Sequence, residues 1–368
     1  MKRDFIKPEI KTPALLLDEH ICKANIRRMA KKAKKFELHF KPHMKTHQSA
    51  IIGKWFEEAG VSAITVSSVS MAKYFSNHGW NDITIAFPVN IRQIKEINEL
   101  AGSIKLTLLV TNSYTIHLLD QKLSNNLNVY VELDTGGHRS GLKPSNLAEI
   151  ENLIDILERT KNLTWIGFYS HSGHSYQARS KEEIEKIHYS VHAQFKKIKA
   201  NLTQKYGSFQ ICSGDTPCCS IGDNFEQIDA ISPGNFVFYD IMQHQIGSCD
   251  IQDIAVAMVC PIVDKYPNRE ELIIYGGAIH FSKESLGTSH QMYGLPCYRE
   301  KGCWRPFENE TYLKSLSQEH GIVRCTPKTF DEFKIGETIT ILPVHSCLTA
   351  HLMGSFILAG GRKIKQLA

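Results

Sequence analysis

Cysteine pairs at metal-binding or redox spacing are missing from this chain. Its ten cysteines are scattered over 368 residues, and no two stand at C-x-x-C spacing. That excludes ribbon-type zinc sites and thioredoxin-like redox motifs, and the scatter in so long a chain excludes a secreted disulfide framework. No apolar run reaches the roughly 20 residues of a membrane span; the nearest, Ile341 to Gly361, is broken by His345, His351 and several hydroxyl residues. Met1 to Lys11 is polar and lacks the apolar core of a secretory leader. Nowhere do clustered Lys/Arg alternate with aromatics as they do in nucleic-acid grooves, and the net charge is a modest +5. The densest basic run, Lys23 to Lys35, keeps Cys22, Ile26, Met29, Ala30 and Ala33 at helical spacing, so it reads as one solvated face of an amphipathic helix. Low-complexity linkers are absent. These exclusions point to a reduced, cytoplasmic enzyme that binds neither nucleic acid nor membrane, and 42% hydrophobic with 22% charged residues is the balance of such a chain.

What is present is alternation. Strand-like runs at Glu37–Lys41, Ser62–Val66, Ile83–Phe87, Lys105–Val110, Asn128–Leu133, Thr164–Tyr169, Phe209–Cys212 and Gln227–Ile231 are separated by amphipathic stretches such as Ile91–Leu100, Pro144–Arg159 and Lys181–Tyr206. Eight strands alternating with helices predict an α/β fold, a (β/α)8 TIM barrel over residues 13–248. The competing doubly wound sheet is weakened because no G-x-G-x-x-G follows an early strand. After about Ile251 the rhythm changes: Ile254–Val263, Glu271–Tyr275, Gly321–Thr326 and Thr338–Leu342 read as strands with few helical runs between them. Residues 249–368 therefore form a mainly β domain, joined by residues 1–12; whether Leu15-Leu16-Leu17 enters it or starts the barrel is open at this level.

The polar oddities fall just past the carboxyl ends of the barrel strands, the face where such barrels place their chemistry. Lys45 stands in Pro42-His43-Met44-Lys45-Thr46-His47. Its neighbours Lys41, His43 and His47 would favour a neutral amine, and a neutral amine is a base or a Schiff-base nucleophile; a solvated basic loop is the plainer reading. Ser213-Gly214-Asp215-Thr216-Pro217 and Ser232-Pro233-Gly234-Asn235 follow the last two strands, where backbone N–H groups seat a phosphate. Of these, Gly214, Thr216, Gly234 and Asn235 are the candidates, and Asp215 is awkward beside an anion. A reactive lysine and a phosphate seat on one rim suggest pyridoxal phosphate. Arg139 in the glycine-rich loop Asp134–Gly141 could meet the cofactor ring, or tie its own loop down. Tyr169, His171, His174 and Tyr176 form a cluster able to stack on that ring, or simply to pack. Late in the chain, Pro343-Val344-His345-Ser346-Cys347 places an imidazole and a thiol two apart. If that run stays extended, they share a face and suit Zn²⁺; a buried cysteine beside a satisfied histidine is the alternative.

Taken in order, Pro42-His43-Met44-Lys45-Thr46-His47, Asp134 to Gly141, Gly214…Thr216-Pro217, Pro233-Gly234-Asn235, Glu319-His320-Gly321 and Pro343…His345-Ser346-Cys347 resemble the metal-activated D-serine dehydratase/D-threonine aldolase family, whose fold is similar to alanine racemase. The resemblance spans nearly the whole chain. It implies pyridoxal phosphate on Lys45, a metal on His345 and Cys347, a D-amino acid substrate, and a homodimer with the site near the subunit boundary. Aldolase members typically carry aspartate where this chain has Cys347; thiolate selects Zn²⁺ over harder ions, which resembles the zinc-dependent D-serine dehydratase branch. Elimination of water from a D-3-hydroxy amino acid is then the implied reaction. Retro-aldol cleavage, racemisation and non-catalytic cofactor carriage are the alternatives. The run Gly276 to Lys283 departs from the pattern of the family's best-known members and bears on substrate choice.

Overall fold

The computed structural model describes residues 10–287, 291–308 and 310–367; the assignment of residues 1–9 to the β domain lies outside them. The chain divides into two compact units, Arg27–Lys45 with Ile52–Gly234, and Met1–Ile26 with Thr46–Ile51 and Asn235–Ala368.

The first strand, β1 (Ala14–Leu17), belongs to the second of these. In the other unit eight strands run parallel: β2 (His39–Phe40), β3 (Ile64–Val66), β4 (Asp82–Pro88), β5 (Lys105–Val110), β6 (Leu127–Leu133), β7 (Leu163–His171), β8 (Gln210–Gly214) and β9 (Ala230–Ile231), in the spatial order β2-β9-β8-β7-β6-β5-β4-β3. The two ends of the sheet meet beyond β2, where Thr65 N donates to Pro42 O at 2.9 Å and His43 bridges Thr65. The sheet therefore curls into a nearly closed barrel, as the β/α alternation predicts. Its interior is filled by side chains: Leu109, Tyr130, Tyr169, Cys212 and Ala230 pack together, and Lys41 Nζ lies 3.8 Å from Asp82. Three predicted strands are shorter than their patterns, Ser62–Val66 among them, of which Ile64–Val66 forms. Glu37 takes a left-handed φ of 55°, which breaks the extended run before β2, and only Ala230–Ile231 of the last run is paired. The strand β7 is longer than predicted and ends on His171, so that histidine closes a strand rather than following one.

Between the strands the predicted helices form with their own stop signals. Asn146 caps Leu147–Leu157 and Ser180 caps Lys181–Tyr206, each side chain accepting from the backbone N–H three residues on. In Glu19–Lys35 the buried positions are Cys22, Asn25, Ile26, Met29 and Ala33; Lys31, Lys34 and Lys35 are exposed, whereas Lys32 is half-buried and donates to Ser220 O at 2.7 Å.

The helix Lys181–Tyr206 also buries two histidines one turn apart. The rings of His188 and His192 have centroids 4.3 Å apart, with Phe225 against both. His188 Nε2 meets Asn224 O at 2.6 Å, but neither ring nitrogen of His192 has a hydrogen-bond partner. Burial, with His188 and Lys199 nearby, pushes His192 down to about 4, and burial with Lys32 nearby lowers His188 despite its bond to Asn224. A histidine whose folded value is depressed binds its proton more readily unfolded. The stability it supports is thus complete above its ordinary value of 6.5 and drains away as pH falls towards 4. His192→Leu is expected to flatten that acid loss by up to about 2 kcal/mol between pH 8 and pH 5, at roughly 1.4 kcal/mol per pH unit below 6.5, measured as urea stability at those two pH values.

The second unit is mainly β, with β10 (Val256–Tyr266), β11 (Glu271–Tyr275), β12 (Gly294–Glu300), β13 (Cys303–Pro306), β14 (Tyr312–Leu316), β15 (His320–Arg324), β16 (Thr338–Pro343), β17 (Ser355–Leu358) and β18 (Lys363–Lys365). The fully buried β1 pairs antiparallel with β10 and parallel with β17, so Leu15-Leu16-Leu17 enters this sheet rather than the barrel. β12 went unread in the sequence because Pro296 sits inside it, opposite Ile341 of β16.

Candidate active site

In the barrel unit, the segment after β2 is held from both sides: His43 N donates to Pro233 O at 2.9 Å, and Met44 is buried. Lys45 then sits half-buried in the single 3-10 turn Met44–Thr46, its backbone N–H 3.3 Å from His43 Nδ1. The sequence made Lys41 and His47 positive neighbours of this lysine. The structure corrects that. Lys41 is paired with Asp82 inside the barrel. His47 is wholly buried, and burial holds it neutral at about 3; its Nδ1 accepts from Ser49 N at 3.1 Å, which needs the unprotonated ring.

The group that feels Lys45 is His171. Burial, then the charges of Lys45 and Arg139, push it down to about 3. Its Nδ1 is bonded to the carbonyl oxygen of Gly214. A carbonyl only accepts, so Nδ1 carries the hydrogen and Nε2 is left with its lone pair. Tyr176 lies alongside, ring centroids 6.2 Å apart, and its hydroxyl accepts from Thr216 N at 3.2 Å. Tyr169 is buried and shares a 2.8 Å hydrogen bond with Ser232 Oγ, and burial pushes its phenol up. Gly214 sits where these strands close on one another: a Cβ there would lie 2.9 Å from Ser232 O and 3.0 Å from the Tyr169 hydroxyl, so no larger residue fits. Asp215, awkward in a phosphate cradle, has another task. It caps Thr216–Ile221, accepting from Cys218 N at 2.7 Å and from Ser175 Oγ at 2.9 Å.

The loop carrying Arg139 is tied down by Asp134, whose Oδ1 accepts from Gly136 N and His138 N at 3.0 and 2.9 Å. Arg139 itself is exposed and makes no ion pair among the described residues; its charge reaches His171, Glu132 and Tyr169. Gly141, at a φ of +102°, turns this loop back under Glu132 O, 2.9 Å from where a Cβ would be. His174 stacks over Gly136, and burial lowers it. Gly234 is buried directly after Pro233, whose carbonyl takes the His43 N–H.

The second unit holds the late pair. His345 and Cys347 do not lie on an extended run: the helix Ser346–Met353 begins between them, with His345 as its N-cap. The cause is remote in sequence. Asp240 Oδ2 accepts from both Ser346 N, at 2.9 Å, and Ser346 Oγ, at 3.2 Å, and so starts the helix with a carboxylate from elsewhere in the unit. The two side chains nevertheless meet. Burial works against a charged ring, but the hydrogen bond and charge of Cys347, with Asp240 and Glu284, carry His345 up to about 9. Burial likewise opposes a thiolate at Cys347, yet His345 and Thr46 hold that thiol below its ordinary value. Thr46, the residue after Lys45, has its hydroxyl 3.3 Å from Cys347 Sγ. Asn235 also belongs here: its Nδ2 is 2.7 Å from Asp240 Oδ2, 3.2 Å from Ser346 Oγ and 3.4 Å from Cys347 Sγ.

An imidazole and a thiolate are donors that suit Zn²⁺. Among the described residues the buried Nδ1 of His345 and Oδ1 of Asn235 have no hydrogen-bond partner, as suits polar atoms kept for a cation and its shell. No third His, Cys, Asp or Glu completes a cage among the described residues. For pyridoxal phosphate the fit rests on the amine of Lys45 and on the approach at Gly214 that a Cβ would fill. Sequence reasoning missed Thr46, Ser232 and Asp240. Only adjacency to Lys45 could have marked Thr46. Asp240 follows Tyr239, whose left-handed φ of 49° turns the chain in a way no pattern announces.

Comparison with known proteins covers both units. The alanine racemase N-terminal domain matches residues 17–240, and the putative serine dehydratase domain matches residues 255–359. A D-serine dehydratase from Dictyostelium discoideum is 31% identical, the match covering 94% of this chain and 93% of that one. The solved D-threo-3-hydroxyaspartate dehydratase from Delftia sp. HT23 has a TM-score of 0.86 at 22% identity, over 97% of each chain. The D-threonine aldolase from Filomicrobium marinum has a TM-score of 0.83 at 19% identity, over 98% of each. The fold is thus that of alanine racemase, a barrel with a mainly β domain.

Proposed function

Because the chain belongs to the D-serine dehydratase family, lyases built on the alanine racemase fold, we propose that it eliminates water from a D-3-hydroxy amino acid, D-serine the first candidate, to give a 2-oxo acid and ammonia. The observation that supports this over its alternatives is the His345–Cys347 pair, a thiolate pair suited to zinc, bonded to the hydroxyl of the residue that follows Lys45. When bound, pyridoxal phosphate supplies an electron sink for a Cα carbanion, and zinc supplies a Lewis acid that makes a β-hydroxyl a better leaving group.

The chain's own residues do the rest. Lys45 Nζ takes the proton from Cα. Gly214, Thr216 and Gly234 line the phosphate end, with the Tyr176 hydroxyl beside Thr216 N. His171 stays uncharged and keeps Nε2 as an acceptor, so it orients a donor on the cofactor or substrate rather than competing with Lys45 for charge. Tyr169 stays protonated and fixes Ser232 beneath the seat. Arg139 leaves a positive charge at the rim. His345 and Cys347 hold the zinc.

A product assay tests the reaction. With D-threonine, 2-oxobutanoate and ammonia are expected; glycine and acetaldehyde would make the enzyme an aldolase instead, and epimerised threonine a racemase. No helix among the described residues is long and apolar enough to cross a membrane, and all ten cysteines are free thiols, which supports a reduced cytoplasmic setting. A homodimer is part of this reading. Leu348 and Leu352 lie one turn apart and are 38% and 45% exposed, and Thr349 between them bonds to Phe281 O, beside Ile279, itself 42% exposed. So apolar a face suits a second copy.

A further inference from the structure

Asn235 stands in a Pro-Gly-Asn turn directly after the barrel's last strand, where a turn residue is expected to face a phosphate. Its side chain is occupied elsewhere. It is 4% exposed, and its amide nitrogen reaches three acceptors within its own unit: Asp240 Oδ2 at 2.7 Å, Ser346 Oγ at 3.2 Å and Cys347 Sγ at 3.4 Å. The orientation of this amide is not arbitrary. Asp240 is 1% exposed and already accepts from Ser346 N and Gln243 N, so its carboxylate demands a donor and turns the nitrogen of Asn235 inward. Oδ1 is left buried and without a partner.

The amide therefore stands between the Asp240 carboxylate and the Cys347 sulfur, and gives a hydrogen to each. Without it the sulfur would face that carboxylate with Thr46 as its remaining hydroxyl donor. A hydrogen bond to a ligating sulfur draws electron density from it, and a donor fixed by a buried carboxylate also fixes where the sulfur points.

We propose that the side chain of Asn235, locked by Asp240, is a positioning group for Cys347 that sets the affinity of the metal pair and the donor strength of its sulfur, whatever the backbone of the same turn does for a phosphate. This rests on the reading that His345 and Cys347 hold zinc.

The test uses the full-length holoenzyme, stripped of metal by a chelator and reloaded with Co²⁺, whose bond to a thiolate gives a charge-transfer band. Asn235→Ala is expected to move that band to lower energy and to weaken zinc binding, read by competition with a chromophoric chelator, by roughly 10- to 100-fold. The visible absorption of bound cofactor should stay unchanged. Asp240→Asn leaves Asn235 in place but frees its amide to rotate, and is expected to shift the band in the same direction; it carries the test if the alanine variant does not fold. A wild-type band and affinity in both variants would overturn the proposal. So would a bleached cofactor band with metal binding intact in Asn235→Ala, which would return this residue to the phosphate. Failure of the underlying reading looks different: the wild type would then show no thiolate–cobalt band, or Cys347→Ala would keep it.

Discussion

Lys45→Ala should yield a colourless protein. The visible absorption of bound pyridoxal phosphate requires its linkage to an amine, and Lys45 is the amine at the turn after β2. The same side chain is assigned to take the α-proton, so turnover is expected to fall by roughly 10³-fold or more even with cofactor in excess. The two readouts separate the two roles. An added small amine could restore some proton transfer without restoring the linkage. A variant that stayed yellow and active would show that another lysine holds the cofactor and would remove Lys45 from the chemistry. The neutral His171 gives the prediction a finer edge. Part of its depression comes from the charge of Lys45, so removing that charge lets His171 rise towards its ordinary value, which a proton-resolved titration of its ring would register.

The second large effect belongs to Cys347. Cys347→Ala removes the thiolate from a pair that has no third His, Cys, Asp or Glu among the described residues to fall back on. Zinc content should drop to background and dehydration by roughly 10³-fold, which corresponds to about 4 kcal/mol of lost transition-state stabilisation. The cofactor's visible band should persist, because Lys45 is untouched. Treatment of the wild type with a chelator should reproduce the loss, and zinc should reverse it there but not in the variant. Full metal-dependent activity in Cys347→Ala would remove the metal from this pair.

How much of this was legible in the sequence depended on whether the cause was local. The barrel strands were, because each buries a short apolar run between turn residues, and Leu108, Val131 and Phe168 are buried where the patterns put them. Of the helix starts, Lys181 falls where the pattern puts it, whereas the run read from Pro144 begins at Leu147, after its Asn146 cap. His345 and Cys347 meet, as expected, but by a different geometry. Alternation along an extended run would have aligned them, whereas a carboxylate 106 residues away starts a helix between them. The charge on His47 was misread for a similar reason: its neighbours in sequence are polar, but its neighbours in space leave it wholly desolvated. Asp215 is the converse. Its discomfort beside an anion was evident from its type, and the fold resolves it by using the carboxylate as a helix cap.

The barrel's seam has a mechanical consequence. The strands β2 and β9 are two residues long, and beyond them the wall is stitched by single contacts such as Thr65 N to Pro42 O and His43 N to Pro233 O. The stave bearing the reactive amine is thus the one with the fewest rungs. Breathing motions that expose backbone amides begin where the rungs are fewest, and a ligand that grips both sides of such a gap gains the whole cost of holding it shut. The protein should loosen first beside Lys45, and a coenzyme loaded there would act as a clasp on the cylinder as much as the arming of a reagent.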